Sequence, residues 1–367
     1  MDERRPGRGR APHRRSVALD RRFGSARDPR RGRRHPHRER RRRHRPLRER
    51  RLRAAADARL RPAGEDRLTI EVRACRPEEV ARGLRPIFHF FGSTPSEDAL
   101  TMFDRLMPPG RLHAAFEDGD AVGGAGVFPL ELTVPGGRVH AAGVTVVGVL
   151  PSHRRRGILR ELMRAQLDDV HERAEPVACL WASEATIYGR FGYGMASLAG
   201  EIDLARDRSL YAQPFEPRGR VRLVDHDEAL ELVPPVHERV ARETPGMAAR
   251  SRDWWELRAL ADPEWRRRGG GEMVRAVLEV DGEPEAYALY RLHPAFEHFA
   301  SVGRTNVIEA LAVSAQATAE IWRFLFDVDW MSRIEAHLLP VDHPLFFLLA
   351  EPRLMRFTLT DALWVRV

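Results

Sequence analysis

The stretch that decides the fold runs from residue 142 to residue 170. It consists of three parts: AGVTVVGVL at 142–150, PSHRRRG at 151–157 and ILRELMRAQLDDV at 158–170. The first part is almost continuously apolar, which is typical of a strand covered on both faces. The last part has apolar residues at helical spacing. The sequence therefore predicts a buried strand, a short basic loop and a helix in direct succession.

A helix that begins immediately after such a loop is suited to binding phosphate. Its first N–H groups have no partner within the helix, and the helix dipole adds positive potential there. Gly157 has no Cβ, so a ligand can approach the backbone closely, and the neighbouring arginines add charge-assisted hydrogen bonds. An ordinary strand–helix turn with solvated arginines fits the same residues equally well.

Similar elements extend on both sides of this unit. The first block predicts a strand at 68–73, helices after Pro77 and at 95–107, strands at 111–117 and 121–134, and a further strand at 177–182. After a connector at 214–220, the second block predicts helices at 227–241 and 314–327, and strands at 272–280, 285–292, 305–313, 333–339 and 355–367. Asp118-Gly119 and Asp281-Gly282 are hairpin signals. We predict an α/β fold with mixed sheets, in two tandem domains at 67–213 and 214–367.

Residues 1–66 differ sharply in composition from the rest. They contain 25 arginines and 9 acidic residues, a net charge of +16, whereas the remainder carries −8 and the chain has no lysine. With few apolar residues, the segment cannot offset its ordering entropy, so we predict a disordered basic tail. It could be an arm for nucleic acid, a solvated extension, or translated sequence upstream of the natural start. It lacks interleaved aromatic residues, so nucleic acid is not expected as a partner.

Several classes of protein are excluded by composition. No apolar run reaches the ~20 residues that a membrane helix needs, and no secretory signal precedes the body. The two cysteines, Cys75 and Cys179, cannot form a disulfide framework or a cysteine-rich zinc site. We expect a cytoplasmic protein with neither a metal nor a membrane partner.

Two segments resemble a known family. Residues 154–159 (RRRGIL) resemble the R/Q-x-x-G-x-G/A acyl-CoA loop of GCN5-related N-acetyltransferases (GNAT), although Leu159 replaces the final Gly or Ala. The longer strings VGVLPSHRRRGILR at 147–160 and ASEATIYGRFGYG at 182–194 resemble the enhanced intracellular survival (Eis) subfamily. The resemblance covers roughly 68–367 in organisation. It implies two GNAT folds, of which only the first has a cofactor loop.

The resemblance also implies roles for individual residues. Acetyl-CoA would be the acetyl donor, and an amine would attack its thioester directly. The residues expected to contact the donor are Val147, Gly148, Val149, Arg155, Arg156, Gly157, Ile158, Leu159, Arg160, Ser183 and Glu184. Amides of Val147 and Val149 would polarise the acetyl carbonyl, and Tyr188 would protonate the departing thiolate. Tyr193 is a competing candidate for that acid, and Tyr188 could instead be a packing residue.

The C-terminal region departs from the Eis pattern. Eis proteins carry a third, sterol-carrier-like domain whose terminal carboxylate is the proposed general base, and this chain is expected to lack that domain. Glu184, a histidine or a water would then be the base, or the chain would bind coenzyme A without efficient turnover. The expected acceptor is a primary amine, either on a small polycation such as an aminoglycoside or on a lysine side chain. A homo-oligomer is possible, because Eis relatives are hexamers.

Overall fold

The sixteen strands of the described residues form two seven-stranded sheets and one short hairpin. The computed structural model describes residues 70–367, so the predicted disorder of 1–66 falls outside the described residues. Each large sheet combines antiparallel neighbours with one parallel pair. The predicted mixed α/β architecture is confirmed.

The first sheet has one parallel pair near its middle, and a helix connects the two strands of that pair. In spatial order its strands are β1 (Glu71–Ala74), β2 (Leu112–Glu117), β3 (Asp120–Val134), β4 (Gly137–Val149), β5 (Val177–Trp181), β16 (Leu363–Arg366) and β6 (Gly194–Met195). The associated helices are α1 (Val80–Phe90), α2 (Glu97–Leu106), α3 (Ile158–Glu172) and α4 (Ala185–Tyr188). Helix α3 connects the parallel strands β4 and β5.

The second sheet repeats this arrangement. In spatial order its strands are β15 (Thr358–Asp361), β7 (Leu198–Ala205), β14 (Met331–Leu339), β13 (Gly303–Ala312), β10 (Glu283–His293), β9 (Val274–Val280) and β8 (Arg220–Leu223). The hairpin is β11 (Phe296–Glu297) with β12 (Ala300–Ser301), and the helices are α5 (His226–Glu243), α6 (Arg252–Trp254), α7 (Glu264–Arg267), α8 (Ala315–Phe326) and α9 (Leu345–Leu348). Helix α8 connects the parallel pair β13 and β14.

Both predicted Asp-Gly hairpins are present. Asp118 and Gly119 have φ of 53° and 86°, and Asp281 and Gly282 have φ of 53° and 88°. A type I′ turn requires positive φ at both central residues, and Asp and Gly adopt it at low cost. These turns fix the registers of β2 with β3 and of β9 with β10.

The two sheets exchange strands. Strand β7 precedes residue 213 in the chain yet pairs with β14 and β15 of the second sheet. Strand β16, the last in the chain, pairs with β5 and β6 of the first sheet. The single strand predicted at 355–367 is therefore wrong, because Ala362 separates two strands that join different sheets. The domain limit between 213 and 214 stays a prediction.

Helix α1 lies unusually close to β3. A Cβ placed on Gly124 would lie 2.2 Å from the carbonyl oxygen of Gly83, so glycine at 124 allows the backbones of helix and strand to meet. On another part of this sheet, Ile158, Leu162 and Met163 bury one side of α3. Both helices are thus fixed against the sheet near the carboxyl end of β4, where the site described next lies.

Candidate functional site

Strand β4 carries a bulge and then separates from β5. Val146 has φ of 47°, and the register with β3 shifts as Gly126 pairs with Thr145 while Gly124 pairs with Gly148. Pairing of β4 with β5 covers only 141–143 on β4. From residue 144 onward β4 therefore hydrogen-bonds to β3 alone, and a gap opens beside it.

The amides of Val147 and Val149 face this gap. The Leu150 N–H donates to the Val122 carbonyl of β3 at 2.9 Å. Because N–H directions alternate along a strand, the Val149 and Val147 amides point away from β3. Two N–H donors on one strand edge are thus left for a ligand that enters between β4 and β5.

The first turn of α3 is open in the same way. Gly157 precedes the helix with φ of 88°, a left-handed conformation that glycine adopts most easily, and no side chain caps the helix. In the second half of the chain, Ser314 Oγ accepts the Ala317 N–H at 3.1 Å at the start of α8. At the start of α8, the Ser314 side chain thus already accepts one of the first N–H groups. The first N–H groups of α3 have no side chain that accepts from them.

A cavity of about 1030 Å³ connects these features. The predicted site residues that line it are Val147, Gly148, Val149, Arg155, Gly157, Ile158, Leu159, Arg160, Ser183, Glu184 and Tyr188. Residues from β4, the basic loop, the start of α3 and the segment after β5 thus meet around one space. Every predicted site residue except Arg156 is among them.

Arg156 instead faces the end of β2. Its guanidinium group pairs with the carboxylate of Glu117, whose Oε2 also lies 2.7 Å from Nε2 of His153. The hydrogen bonds from Arg156 and then His153 hold the pKa of Glu117 below its usual range. Arg156 therefore anchors the loop to β2, and its predicted contact with the cofactor is not supported by this position.

The sequence prediction missed the opposite wall of the cavity. Ile87, Phe90 and Phe91 of α1 line it, and Phe91 is 75% exposed. The guanidinium carbon of Arg154 lies 5.0 Å from the centroid of the Phe90 ring, a cation–π contact across the entrance. The aromatic run at 88–91 was visible in the sequence, but nothing in it indicated that α1 would cross β4 at this point.

Tyr188 is one of the residues that line the cavity. Its side chain is buried, and burial raises the pKa of its hydroxyl, partly offset by a hydrogen bond with Ser183. The Tyr193 ring lies edge-on to it at 6.1 Å, but Tyr193 does not line the cavity, and its hydroxyl has no hydrogen-bond partner among the described residues. Of the two candidate acids, Tyr188 is the one with access to a ligand.

Within residues 70–367, no group of three or more His, Cys, Asp or Glu side chains is arranged to hold a metal ion. None of the helices in this range, up to the 18-residue α5, has the length and apolarity needed to cross a membrane.

Comparison with known families gives a consistent assignment. Residues 71–196 match one acetyltransferase (GNAT) domain family, and residues 246–367 match a second family of the same description. The uncharacterized N-acetyltransferase SCO2625 of Streptomyces coelicolor is 40% identical over 309 residues, which are 82% of this chain and 74% of that protein. The N-acetyltransferase Eis of Mycobacterium tuberculosis is 37% identical over 254 residues, which are 68% of this chain and 60% of Eis.

Solved structures agree with this assignment. Eis1 from Mycobacterium abscessus has a TM-score of 0.66 at 32% identity, over 82% of this chain and 73% of Eis1. A GCN5-related N-acetyltransferase from Anabaena variabilis has a TM-score of 0.68 with the same coverage, but at 16% identity it supports the fold alone. With two matched GNAT domains and relatives above 35% identity, the chain belongs to the GCN5-related N-acetyltransferase family and is an Eis-like acetyltransferase, for which acetyl-CoA is the implied donor.

Proposed function

We propose that the chain transfers the acetyl group of acetyl-CoA to a primary amine by direct attack in a ternary complex. The observation that carries the proposal is one cavity that joins three features: the free amides of β4, the uncapped start of α3 and the hydroxyl of Tyr188. The start of α3 would bind the phosphates of the donor, the amides of β4 would bind the thioester carbonyl, and Tyr188 would protonate the leaving thiol.

Residues of the loop and of α3 would hold the donor's pyrophosphate. The uncapped first turn of α3 borders the cavity, and Arg155 and Arg160 add guanidinium groups beside it. A Cβ on Gly157 would meet nothing within 4 Å, so the space above this backbone is open to a phosphate. Ser183 and Glu184 line the wall along which the pantetheine arm would run.

The amides of β4 and the hydroxyl of Tyr188 would serve the chemical step. Val147 and Val149 N–H groups would donate to the thioester oxygen as negative charge develops on it. The amine nitrogen forms a bond to the acetyl carbon, the carbon–sulfur bond breaks, and Tyr188 donates its proton to the sulfur. The products are an amide and free coenzyme A. Because its pKa is raised, Tyr188 keeps this proton at neutral pH.

The general base would be Glu184, which takes the proton that the attacking nitrogen loses, directly or through a water. Exchange with solvent then returns a proton to Tyr188. Two other candidates were a histidine and a water alone, and the cavity contains one histidine, His153. Both ring nitrogens of His153 are engaged, with Ser152 Oγ at 2.8 Å and Glu117 Oε2 at 2.7 Å. Among the residues that line the cavity, Glu184 is the one carboxylate.

The charge of the cavity bears on which amine is the acceptor. Glu184 lines the cavity together with four arginines, Arg154, Arg155, Arg160 and Arg190. The phosphates of a bound donor would neutralise the guanidinium groups. The Glu184 carboxylate would then remain to pair with one ammonium group. We therefore favour a single amine, such as a lysine side chain, over a polycation such as an aminoglycoside.

A thiol-release assay tests the proposal. The full chain is given acetyl-CoA with lysine-containing peptides, simple monoamines or aminoglycosides, and calorimetry measures coenzyme A binding in parallel. We expect coenzyme A to bind and thiol release to be faster with single amines. Binding without release from any amine would favour the alternative of a chain with impaired turnover. Absence of binding would contradict the whole proposal.

A further inference from the structure

One polar side chain lies on the buried face of helix α3. Gln166 has no exposed surface, and it shares this face with the apolar residues Leu162 and Met163. A buried amide costs free energy unless it is hydrogen-bonded, so an apolar residue would be the simpler choice at this position. Gln166 is not among the residues that line the cofactor cavity, so contact with a ligand does not explain it.

The Gln166 amide is bonded to the bulge between β3 and β4. Its Nε2 donates to the Gly126 carbonyl at 3.0 Å, and this hydrogen bond is buried. Gly126 lies at the point where the register of the two strands shifts. The other amide atom, Oε1, is buried without a hydrogen-bond partner among residues 70–367. Within this range, the polar side chain thus makes its contact at the bulge and leaves its oxygen unsatisfied.

Packing holds the same bulge from the opposite face of the sheet. A Cβ on Gly123 would meet Leu162 of α3, and side chains alternate along a strand, so position 126 faces away from α3. A Cβ on Gly126 would lie 2.8 Å from Cγ2 of Val146 and 2.6 Å from Cε of Met107, so these two side chains cover the glycine. The bulge is therefore held by side-chain packing on one face and by a hydrogen bond from the α3 side.

The position of the bulge decides where the free amides of β4 point. Val146, the bulged residue with positive φ, directly precedes Val147, so a change in its backbone angles would displace the amides of Val147 and Val149. Gln166 lies eight residues after Ile158, the first residue of α3, which is about 12 Å along the helix axis. One rigid helix thus connects the end expected to bind phosphate with the bulge that directs the amides.

We propose that Gln166 is a positioning residue for acetyl transfer, which holds the bulge so that the Val147 and Val149 amides point at the thioester carbonyl. It acts through the Gly126 carbonyl and not by contact with the donor. This inference rests on the proposed function, because the direction of the amides matters only if a thioester lies beside them. A misplacement of about 1 Å can cost ~100-fold in rate, so loss of the Gln166 bond should lower kcat far more than affinity.

Gln166→Met tests the inference on the full chain. Methionine has nearly the same length, and it removes the unpartnered oxygen together with the donor, so Tm should change by no more than a few degrees. We expect the Kd for coenzyme A to change by less than about threefold and kcat in the thiol-release assay to fall about tenfold or more. Met163→Leu, a volume-conserving change on the same buried face, is the matched control and should keep kcat within about twofold.

Infrared difference spectroscopy shows whether the amides have moved. Acetyl-CoA labelled with carbon-13 at the acetyl carbonyl is bound without an amine, and its thioester carbonyl band is compared with that of the free donor. Hydrogen bonds to this oxygen lower the frequency of the band. The unchanged chain should therefore shift the band, and Gln166→Met should shift it by about half as much or less, because its amides point elsewhere. A side chain that only stabilised α3 would not affect the band.

The outcomes separate this inference from the proposed function. If Gln166→Met gave the same band shift as the unchanged chain, Gln166 would be a packing residue and the inference would be wrong. An equal loss of kcat and of affinity for coenzyme A would also overturn it, because Gln166 would then act on binding. No band shift in the unchanged chain would instead contradict the proposed role of the β4 amides.

Gln166→Leu is the second variant and carries the same expectations if Gln166→Met does not fold. Circular dichroism during heating shows whether each variant is folded. If neither variant folds, Gln166 is required for folding and the inference is wrong.

Discussion

At the scale of single residues, Tyr188 offers the sharpest test of the chemistry. Its hydroxyl would be the acid that protonates the departing thiolate, and general-acid catalysis contributes typically 10²–10⁴-fold. We expect Tyr188→Phe to lower kcat by at least ~100-fold in the thiol-release assay. The Kd for coenzyme A should change little, because the ring is retained.

Tyr193→Phe is the matched control. Tyr193 is equally buried and lies against Tyr188, but it has no access to the cavity and its hydroxyl has no described partner. Removal of the Tyr193 hydroxyl should change kcat by no more than a few-fold. If Tyr193→Phe lost activity and Tyr188→Phe kept it, the competing assignment would be the right one.

The basic loop shows what the sequence could and could not predict about residues. The motif predicted which positions gather near a phosphate, and Arg155, Gly157 and Arg160 do line the cavity. It did not predict the direction of each side chain. Arg155 and Gly157 both have positive φ, 64° and 88°, so the chain turns sharply on either side of Arg156. Arg156 consequently points toward Glu117, a partner 39 positions away that no local pattern indicates.

At the scale of elements, the bulge in β4 is the feature that makes the site. The apolar run predicted this strand correctly, but a period-two pattern cannot show where one strand leaves another. A β-branched residue such as Val146 at φ of 47° costs of order 1–3 kcal/mol and persists only where neighbouring contacts impose it. Here the pairing of β4 with β3 on both sides of the bulge imposes it.

The contact of α1 with β3 leads to a prediction at this scale. In Gly124→Ala, the new Cβ would lie 2.2 Å from the Gly83 carbonyl oxygen, so α1 must move away. Overpacking of this kind costs about 1–3 kcal/mol, and we expect Tm to fall by about 3–10 °C. Since α1 carries Ile87, Phe90 and Phe91, KM for the amine should rise as well.

Gly194→Ala provides the comparison for this change. A Cβ at Gly194 meets nothing within 4 Å, so this variant should keep both Tm and KM. Differential scanning calorimetry and the thiol-release assay measure the two quantities. An unchanged Tm in Gly124→Ala would show that α1 does not depend on this close approach.

At the scale of the whole molecule, the exchange of strands joins the two halves. The sequence predicted no strand at 198–205, and it predicted 355–367 as a single strand. The pattern of a strand is the same whichever sheet it enters, so the choice of sheet is a non-local property. Backbone hydrogen bonds also join the two halves. The Thr133 N–H donates to the Met247 carbonyl, and the Gly246 N–H donates to the Thr133 carbonyl, at 2.8 Å each. Assembly into homo-oligomers stays a prediction.

We expect residues 67–213 alone to show no cooperative unfolding and no coenzyme A binding. Without β16, strand β5 loses its antiparallel partner over 178–181, and β6 loses the strand to which it pairs. Residues 361–367 attached to this segment through a flexible Gly/Ser linker should restore part of both properties, because they supply the missing strand. Circular dichroism during heating and calorimetry with coenzyme A measure the outcome. If the segment alone bound coenzyme A as tightly as the whole chain, the exchanged strand would be unnecessary for the site, and the two halves would be independent.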